Sequence, residues 1–169
     1  MNLYSNKELQ TRDAIQSNAI KFDFDLLPEL SNFSILPDGQ FIVDEFGLGY
    51  TSTEAYYQAC KSLSYEVRKT FTRSTPKDSK RKGKEIFIRD DWEIVKYNIM
   101  RLALQQKFSI QIYSDILDST TDCQLIEWTT WNDKIWGMWT VDWQGCNALG
   151  KLLQERRNLN RIIKGNAFI

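Results

Sequence analysis

The sequence predicts an α+β fold: a single, mostly helical domain with a small β-sheet. Three observations carry that prediction. Helical periodicity dominates from residue 51 onward, and short alternating apolar segments bounded by turn formers occupy residues 22–50 and 123–130. These β segments are few and set apart from the helices, instead of interleaving with them in regular βαβ units. A chain of 169 residues, 42% hydrophobic and 26% charged, suits one globular domain. At that size a domain buries roughly 70% of its unfolded surface.

The elements follow in order. Residues 1–21, which begin MNLYSNKELQTRD, are polar and read as an N-terminal extension ahead of a domain at 22–169. They lack the apolar core of a secretory signal. Between 22 and 50, Pro37-Asp38-Gly39 precedes Gln40-Phe41-Ile42-Val43, a turn leading into a strand, which predicts a hairpin. TSTEAYYQACK at 51–61 opens a helix, because Thr51 and Glu54 have capping-box spacing, with Ser52 and Thr53 as rival caps. Thr75-Pro76-Lys77-Asp78 marks another start: Thr as N-cap, Pro in the first helical position, Asp in the first turn.

Residues 90–108 give the cleanest amphipathic helix. Trp92, Val95, Ile99, Leu102 and Ala103 share one face, with Lys96 and Met100 at its edge. A helix over 110–117 and a strand over 123–130 come next; in the strand Leu125, Glu127 and Thr129 alternate with Ile126, Trp128 and Thr130. After a Gly- and Trp-rich loop, the last helix starts near Asn147, a good N-cap residue, and buries Leu149, Leu152, Leu153 and Leu159.

The chain contains no histidine. That excludes Ser-His-Asp and Cys-His catalysis and histidine-ligated zinc, so any proton transfer falls to Asp, Glu, Lys, Tyr or water. Cys60, Cys123 and Cys146 are far apart and odd in number, which makes a poor disulfide framework and reads as small core residues. No apolar run approaches the ~20 residues of a membrane span, so a cytoplasmic location is the expectation. Formal charge balances, 22 basic against 22 acidic residues, yet residues 68–84 hold eight Lys or Arg and one acid, Asp78. Such a segment is either a solvated face or a contact for an anionic partner.

Glu54, Gln58 and Lys61 fall on one helical stripe, opposite an apolar side. The stripe either faces water or lines a cleft, and its periodicity is compatible with both. Five of six tryptophans, Trp128, Trp131, Trp136, Trp139 and Trp143, lie within sixteen residues. They read mainly as core, with one or two available to stack on a flat heterocycle. Asp133 precedes a Trp-Gly pair whose glycine allows close approach of a ligand or another strand. Asn147 offers its amide at a helix start, where backbone N–H groups favour anions.

The motifs LSNF at 30–33, TEAYYQACK at 53–61, RDDWE at 89–93, KYNIM at 96–100, KF at 107–108, LIEW at 125–128, DKIWG at 133–137 and GCNALGKLLQERR at 145–157 occur in turn. This succession resembles the NADAR family, which includes the YbiA-like proteins. Four places depart from the family pattern. Lys82-Gly83-Lys84 stands where a Gly-Arg pair is usual, and lysine lacks the bidentate fork of arginine. Asp118-Ser119-Thr120-Thr121 replaces a Thr-Gly turn, Trp139 a glycine, and Gln154 a methionine.

The resemblance implies a metal-independent, cofactor-free N-glycosidase. Its substrate is then a phosphorylated ribosyl or ADP-ribosyl compound: a ribosylamino-pyrimidine phosphate of riboflavin synthesis, or ADP-ribosyl-guanine in DNA, with a DarT-like toxin as functional partner. It implies Glu54 and Asp133 as catalytic carboxylates sharing one cleft, one positioning water and the other stabilising charge. Asn32, Phe33, Gln58, Lys61, Lys84, Trp92, Lys96, Met100, Trp136, Gly137 and Asn147 become substrate contacts. Among them Trp92 and Trp136 stack on the base, Lys61, Lys84 and Lys96 meet phosphate, and Asn32 and Asn147 bond the ribose or base edge. The rival expectations are a non-catalytic ADP-ribose or nucleotide binder and a nucleic-acid-binding module using residues 68–84.

Overall fold

A computed structural model describes residues 17–23 and 25–166, without the side chain of Asn166. The expected N-terminal extension lies, up to residue 16, outside the described residues. In chain order the elements are β1 (Ile20–Phe22), β2 (Ile42–Val43), β3 (Gly49–Tyr50), α1 (Thr53–Ala59), α2 (Tyr65–Lys69), α3 (Pro76–Lys82), α4 (Trp92–Lys107), α5 (Gln111–Ser119), β4 (Leu125–Thr129), β5 (Met138–Trp139) and α6 (Ala148–Asn166), with a 3-10 turn at Pro28–Leu30. The fold is α+β, as predicted. The chain forms two compact units, one of Asn32–Ile110 and one of the residues up to Ser31 together with those from Gln111 on.

In the first unit β2 and β3 pair antiparallel, Ile42 opposite Tyr50. Gly39, at φ 79, takes the left-handed position of the turn that precedes them. The hairpin's own turn is organised by Asp44, whose Oδ1 accepts from the N–H groups of Phe46 and Leu48. Its edge is held to α4 by Gln106, which donates to Val43 O and accepts from Val43 N.

The cap of α1 is Ser52, not Thr51: its backbone is extended and its Oγ accepts from Ala55 N at 3.1 Å. With Ser52 as cap, Glu54 occupies the second helical position and does not reach back to close a capping box. All seven residues of α1 are buried. α3 begins as its sequence predicts, Thr75 Oγ1 accepting from Asp78 N with Pro76 in the first turn. α2 escapes the sequence reading, since five residues, YEVRK, carry no apolar stripe.

α4 spans almost the predicted range, but its buried face is rotated. Trp92, Lys96, Ile99, Met100, Ala103, Leu104 and Lys107 face inward, while Leu102 is 42% exposed. The buried face of α4 takes in two lysines, Lys96 and Lys107, that an apolar stripe omits. Burying each of its large apolar side chains contributes about 1.5–3 kcal/mol.

Cys60 is 2% exposed, and burial pushes its thiol up to about 12. The thiolate is the reactive form. A maleimide at neutral pH is therefore expected to leave Cys60 unmodified in the native protein and to label it after unfolding. Peptide mass spectrometry checks this.

In the second unit β4 is the middle strand of the parallel sheet β1-β4-β5, with Ile20 opposite Leu125 and Trp128 opposite Met138. β1 crosses the boundary expected at residue 21, since Ile20 and Lys21 already pair with β4. Four of the five β4 residues are buried, so the predicted alternation does not divide core from solvent. A parallel strand covered on both faces has no polar side.

α6 packs on β4 and buries Leu149, Leu152 and Leu153, but Leu159 is 42% exposed. The inward positions beyond Leu153 belong to Arg157 and Asn160, the latter donating to Ser114 Oγ at 3.1 Å. The five clustered tryptophans are not core either. Trp131 is half-exposed and the other four are partly exposed. Trp128 and Trp143 meet edge to face, with Lys21 Nζ 4.3 and 4.2 Å from their ring centres.

Candidate functional site

Seven residues of helix place Glu54 and Gln58 one turn apart, and both are 6% exposed. The polar stripe thus faces the interior of the 32–110 unit. Gln58 Nε2 donates to Glu54 Oε1 at 2.8 Å, and Glu54 N donates to Asn32 O at 3.0 Å, which sets Asn32 beside the start of the helix. Ionised carboxylates are seldom buried without polar company, and this company is unusual. Asn32 Oδ1 and Gln58 Oε1 are buried without a hydrogen-bond partner, as are Thr53 Oγ1 and Ser79 Oγ elsewhere on α1 and α3. Each such atom costs about 1–3 kcal/mol. A ligand presenting hydroxyl or N–H donors would remove that cost.

Lys61 continues the stripe at its half-buried end. Its Nζ donates to Gly83 O at 3.3 Å and lies 5.8 Å from the ring centre of Trp92. Desolvation lowers its pKa; Glu54 opposes the shift, and Lys84 and Lys80 add to it. Lys80 and Lys84 therefore act on Lys61 as like charges, an arrangement that favours an anion beside it. Phe33 lies under Lys80, whose Nζ is 5.3 Å from its ring centre. Trp92 is 7% exposed and packs on Tyr57 at 4.9 Å, which makes it a wall of the site more than an open platform.

Gly83 closes the floor. A Cβ there would sit 1.9 Å from Gln58 Oε1 and 2.7 Å from Gln58 Cδ, so any side chain displaces Gln58 from Glu54. Gly83→Ala is expected to cut kcat/KM at least ~10-fold, the loss of one oriented contact. Circular dichroism should show the fold retained.

Two residues expected here as contacts are engaged elsewhere. Lys96 is buried and pairs with Glu93 of its own helix at 2.5 Å. Met100, 1% exposed, is part of the core of α4. Arg68 likewise leaves the basic segment, its side chain being 1% exposed. Sequence reasoning passed over Lys80, Ser79 and Thr53. The lysine had a signal, lying one helical turn before Lys84, whereas the two hydroxyls had none beyond capping.

The remaining predicted residues belong to the second unit. Asp133 Oδ1 accepts from Ile135 N and Trp136 N, an Asx turn that orders the DKIWG loop. Gly137 serves the sheet: a Cβ would lie 2.5 Å from Thr129 Cγ2 and 2.6 Å from Glu127 O. Trp136 is partly exposed, and its carbonyl accepts from Leu149 N.

Asn147 needs correction. It is fully buried at φ 50, and its amide bridges β4, Oδ1 accepting from Glu127 N and Nδ2 donating to Leu125 O. The first N–H groups of α6 donate to Ile135 O and Trp136 O, so neither the amide nor the helix start is open to an anion. Among the described residues no three His, Cys, Asp or Glu side chains group as a metal site, and no helix is long and apolar enough to cross a membrane.

The family model of the NADAR domain matches residues 23–160. N-glycosidase YbiA of Escherichia coli is 34% identical over 140 residues, covering 80% of this chain and 83% of that protein. The chloroplastic riboflavin biosynthesis protein PYRR of Zea mays is 30% identical over 161 residues, 85% of this chain but 25% of that longer protein. The NMR structure of the Escherichia coli protein YbiA matches with a TM-score of 0.73 at 31% identity, over 91% of this chain and 92% of the other.

Proposed function

The chain belongs to the NADAR family, and on that premise we propose that it is an N-glycosidase acting in the cytoplasm on a ribosylated or ADP-ribosylated base, with the α1 stripe as its catalytic surface. The observation that carries this reading is a buried carboxylate, Glu54, beside buried acceptors that lack partners. Breaking the ribosyl C1′–N bond sends its electron pair to the base, which takes up a proton, and leaves positive charge on the sugar ring. Water then adds to C1′ and loses a proton. A carboxylate in a site of low dielectric stabilises that charge and orients the water. Asn32 Oδ1 and Gln58 Oε1 suit ribose hydroxyls, and Lys61, Lys80 and Lys84 suit the phosphate. Asp133 enters as a second carboxylate on the order of the motifs alone.

Two substrate classes fit this chemistry. The likeness to a riboflavin biosynthesis protein favours a ribosylamino-pyrimidine phosphate, and ADP-ribosyl-guanine in DNA, the product of a DarT-like toxin, presents the same bond. Incubating the purified protein with both, EDTA present, and measuring by chromatography the free base from the first and free ADP-ribose from the second tests the proposal. Release from one of them is the expected result, and release from neither sinks it. A non-catalytic binder would instead show saturable ADP-ribose binding without turnover.

Lys61 sets the expected pH dependence. Its pKa is lowered from 10.5, so as a phosphate-holding cation it loses its charge, and substrate affinity, as pH rises through that lowered value. KM should therefore rise on the alkaline side at a lower pH in wild type than in Lys61→Arg, whose guanidinium stays charged. If kcat rises instead across the same range, the neutral amine takes a direct part in bond cleavage.

A further inference from the structure

We propose that the 32–110 unit carries a second binding site, for a small organic acid with an apolar body, distinct from the α1 stripe and independent of the reading above. The site is a cavity of about 330 Å³ lined by Tyr56 and Cys60, Arg68 and Arg89, and by Val95, Ile99 and Leu102 of α4. Tyr56 and Cys60 lie across the axis of α1 from Glu54 and Gln58. None of these residues belongs to the stripe. The volume is at the small end of the roughly 300–1,000 Å³ of ligand pockets, which limits the occupant to a compact molecule.

One wall of the cavity is rich in donors. Arg68 is fixed through Nε to Ser62 O at 2.6 Å and through Nη1 to Asp44 Oδ2 at 3.2 Å and Glu45 Oε1 at 2.8 Å. Its Nη2 takes no part in those bonds. Arg89 uses Nε and Nη2 on Asp91, at 2.5 and 2.8 Å, which leaves Nη1. Two fixed guanidinium groups with N–H donors in hand suit a carboxylate. The opposite wall is mostly apolar: Val95, Ile99 and Leu102 recur at helical spacing along α4 with Asn98 between them, Ile99 at the edge of the buried face and Leu102 42% exposed.

The two acids on Arg68 are not equivalent. Asp44 is fully buried and also takes the hydroxyl of Tyr50 at 2.8 Å, so it is a permanent partner. Glu45 lines the cavity with its side chain 60% exposed, and it can leave for water. A ligand carboxylate then takes its place on Arg68, reaches toward Arg89, and lays its apolar body on α4. Glu45 thus competes with the ligand for the same guanidinium.

Methyl-detected NMR titration of the full chain with benzoate tests this, with acetate supplying the head group alone and benzyl alcohol the body alone. Saturable benzoate shifts centred on Val95, Ile99 and Leu102 are expected, with each partial probe weaker by about tenfold or more, as loss of one of two contacts implies. Glu45→Gln should tighten benzoate by about threefold to tenfold through removal of a competing charge. Leu102→Trp, at a partly exposed position, should fill the cavity and abolish binding with the NMR fold signature intact. Equal affinity for all three probes, weaker binding in Glu45→Gln, no saturation, or binding that survives Leu102→Trp would overturn the proposal.

Discussion

Replacing Glu54 with Gln is expected to lower kcat by about 10²–10⁴-fold, the usual worth of a positioned carboxylate in acid–base or charge-stabilising work. The substitution is nearly isosteric, and an amide oxygen can keep the 2.8 Å bond from Gln58 Nε2. Substrate affinity and thermal stability should therefore change little. Removing a buried charge from beside Lys61 also removes the one neighbour that supports its protonated form, so the Lys61 pKa should fall further in this variant. Steady-state kinetics with the released base or ADP-ribose as readout, set beside a melting curve, separates loss of chemistry from loss of fold. A variant with unchanged kcat would remove Glu54 from the catalytic step.

The second large effect concerns stability. Arg68→Met is expected to destabilise the protein by about 3–5 kcal/mol, because it leaves the fully buried Asp44 carboxylate without its cation. It also ends the contact of the guanidinium with the Phe46 ring, 5.0 Å away, and the bond to Ser62 O. Against a typical total of about 5–15 kcal/mol, that loss brings the protein close to unfolding at room temperature. Urea denaturation measures it, and Arg68→Met with Asp44→Asn should regain part of the loss by removing the unpaired charge. A loss below about 1 kcal/mol would place this ion pair among those of surface strength.

Much of this architecture could be read from local signals, and the misreadings share a cause. Thr75-Pro76 announces α3 because capping depends on neighbouring residues alone. The choice of Ser52 over Thr51 depends on where the chain enters the helix from β3, which spacing does not encode. Leu102 and Leu159 read as core because an apolar side chain was assumed to seek the interior. Inward positions instead went to Lys96 and Lys107 on α4, and on α6 to Arg157 and Asn160, which long-range hydrogen bonds admit.

Long-range pairing was equally hidden. Strand β1 joins β4 across more than a hundred residues, and the middle position of β4 explains why its alternation carried no meaning. Thr121 shows the reverse: it is held at φ 51, a conformation glycine adopts more easily, a backbone requirement its side chain does not announce. Gln154, standing for a family methionine, finds its reason in a bond from Leu125 N at 2.8 Å.

Periodicity set Glu54, Gln58 and Lys61 on one stripe and resemblance made them candidates, but burial of Glu54 and Gln58 is a property of the fold. The fold also gives Asn147 and Met100 structural work. The buried acceptors without partners had no sequence signature at all, since satisfaction of a polar atom is a property of the assembled fold.

The most direct test is a crystal structure of Glu54→Gln with an uncleaved ribosylated or ADP-ribosylated base bound. The anomeric carbon is expected within reach of a water held by residue 54, with reacting atoms about 3–3.5 Å apart. Ribose hydroxyls should bond Asn32 Oδ1 and Gln58 Oε1, and phosphate oxygens should meet Lys61, Lys80 or Lys84. A ligand seated elsewhere, with those acceptors still buried and without partners, would contradict the assignment of the α1 stripe as the catalytic surface.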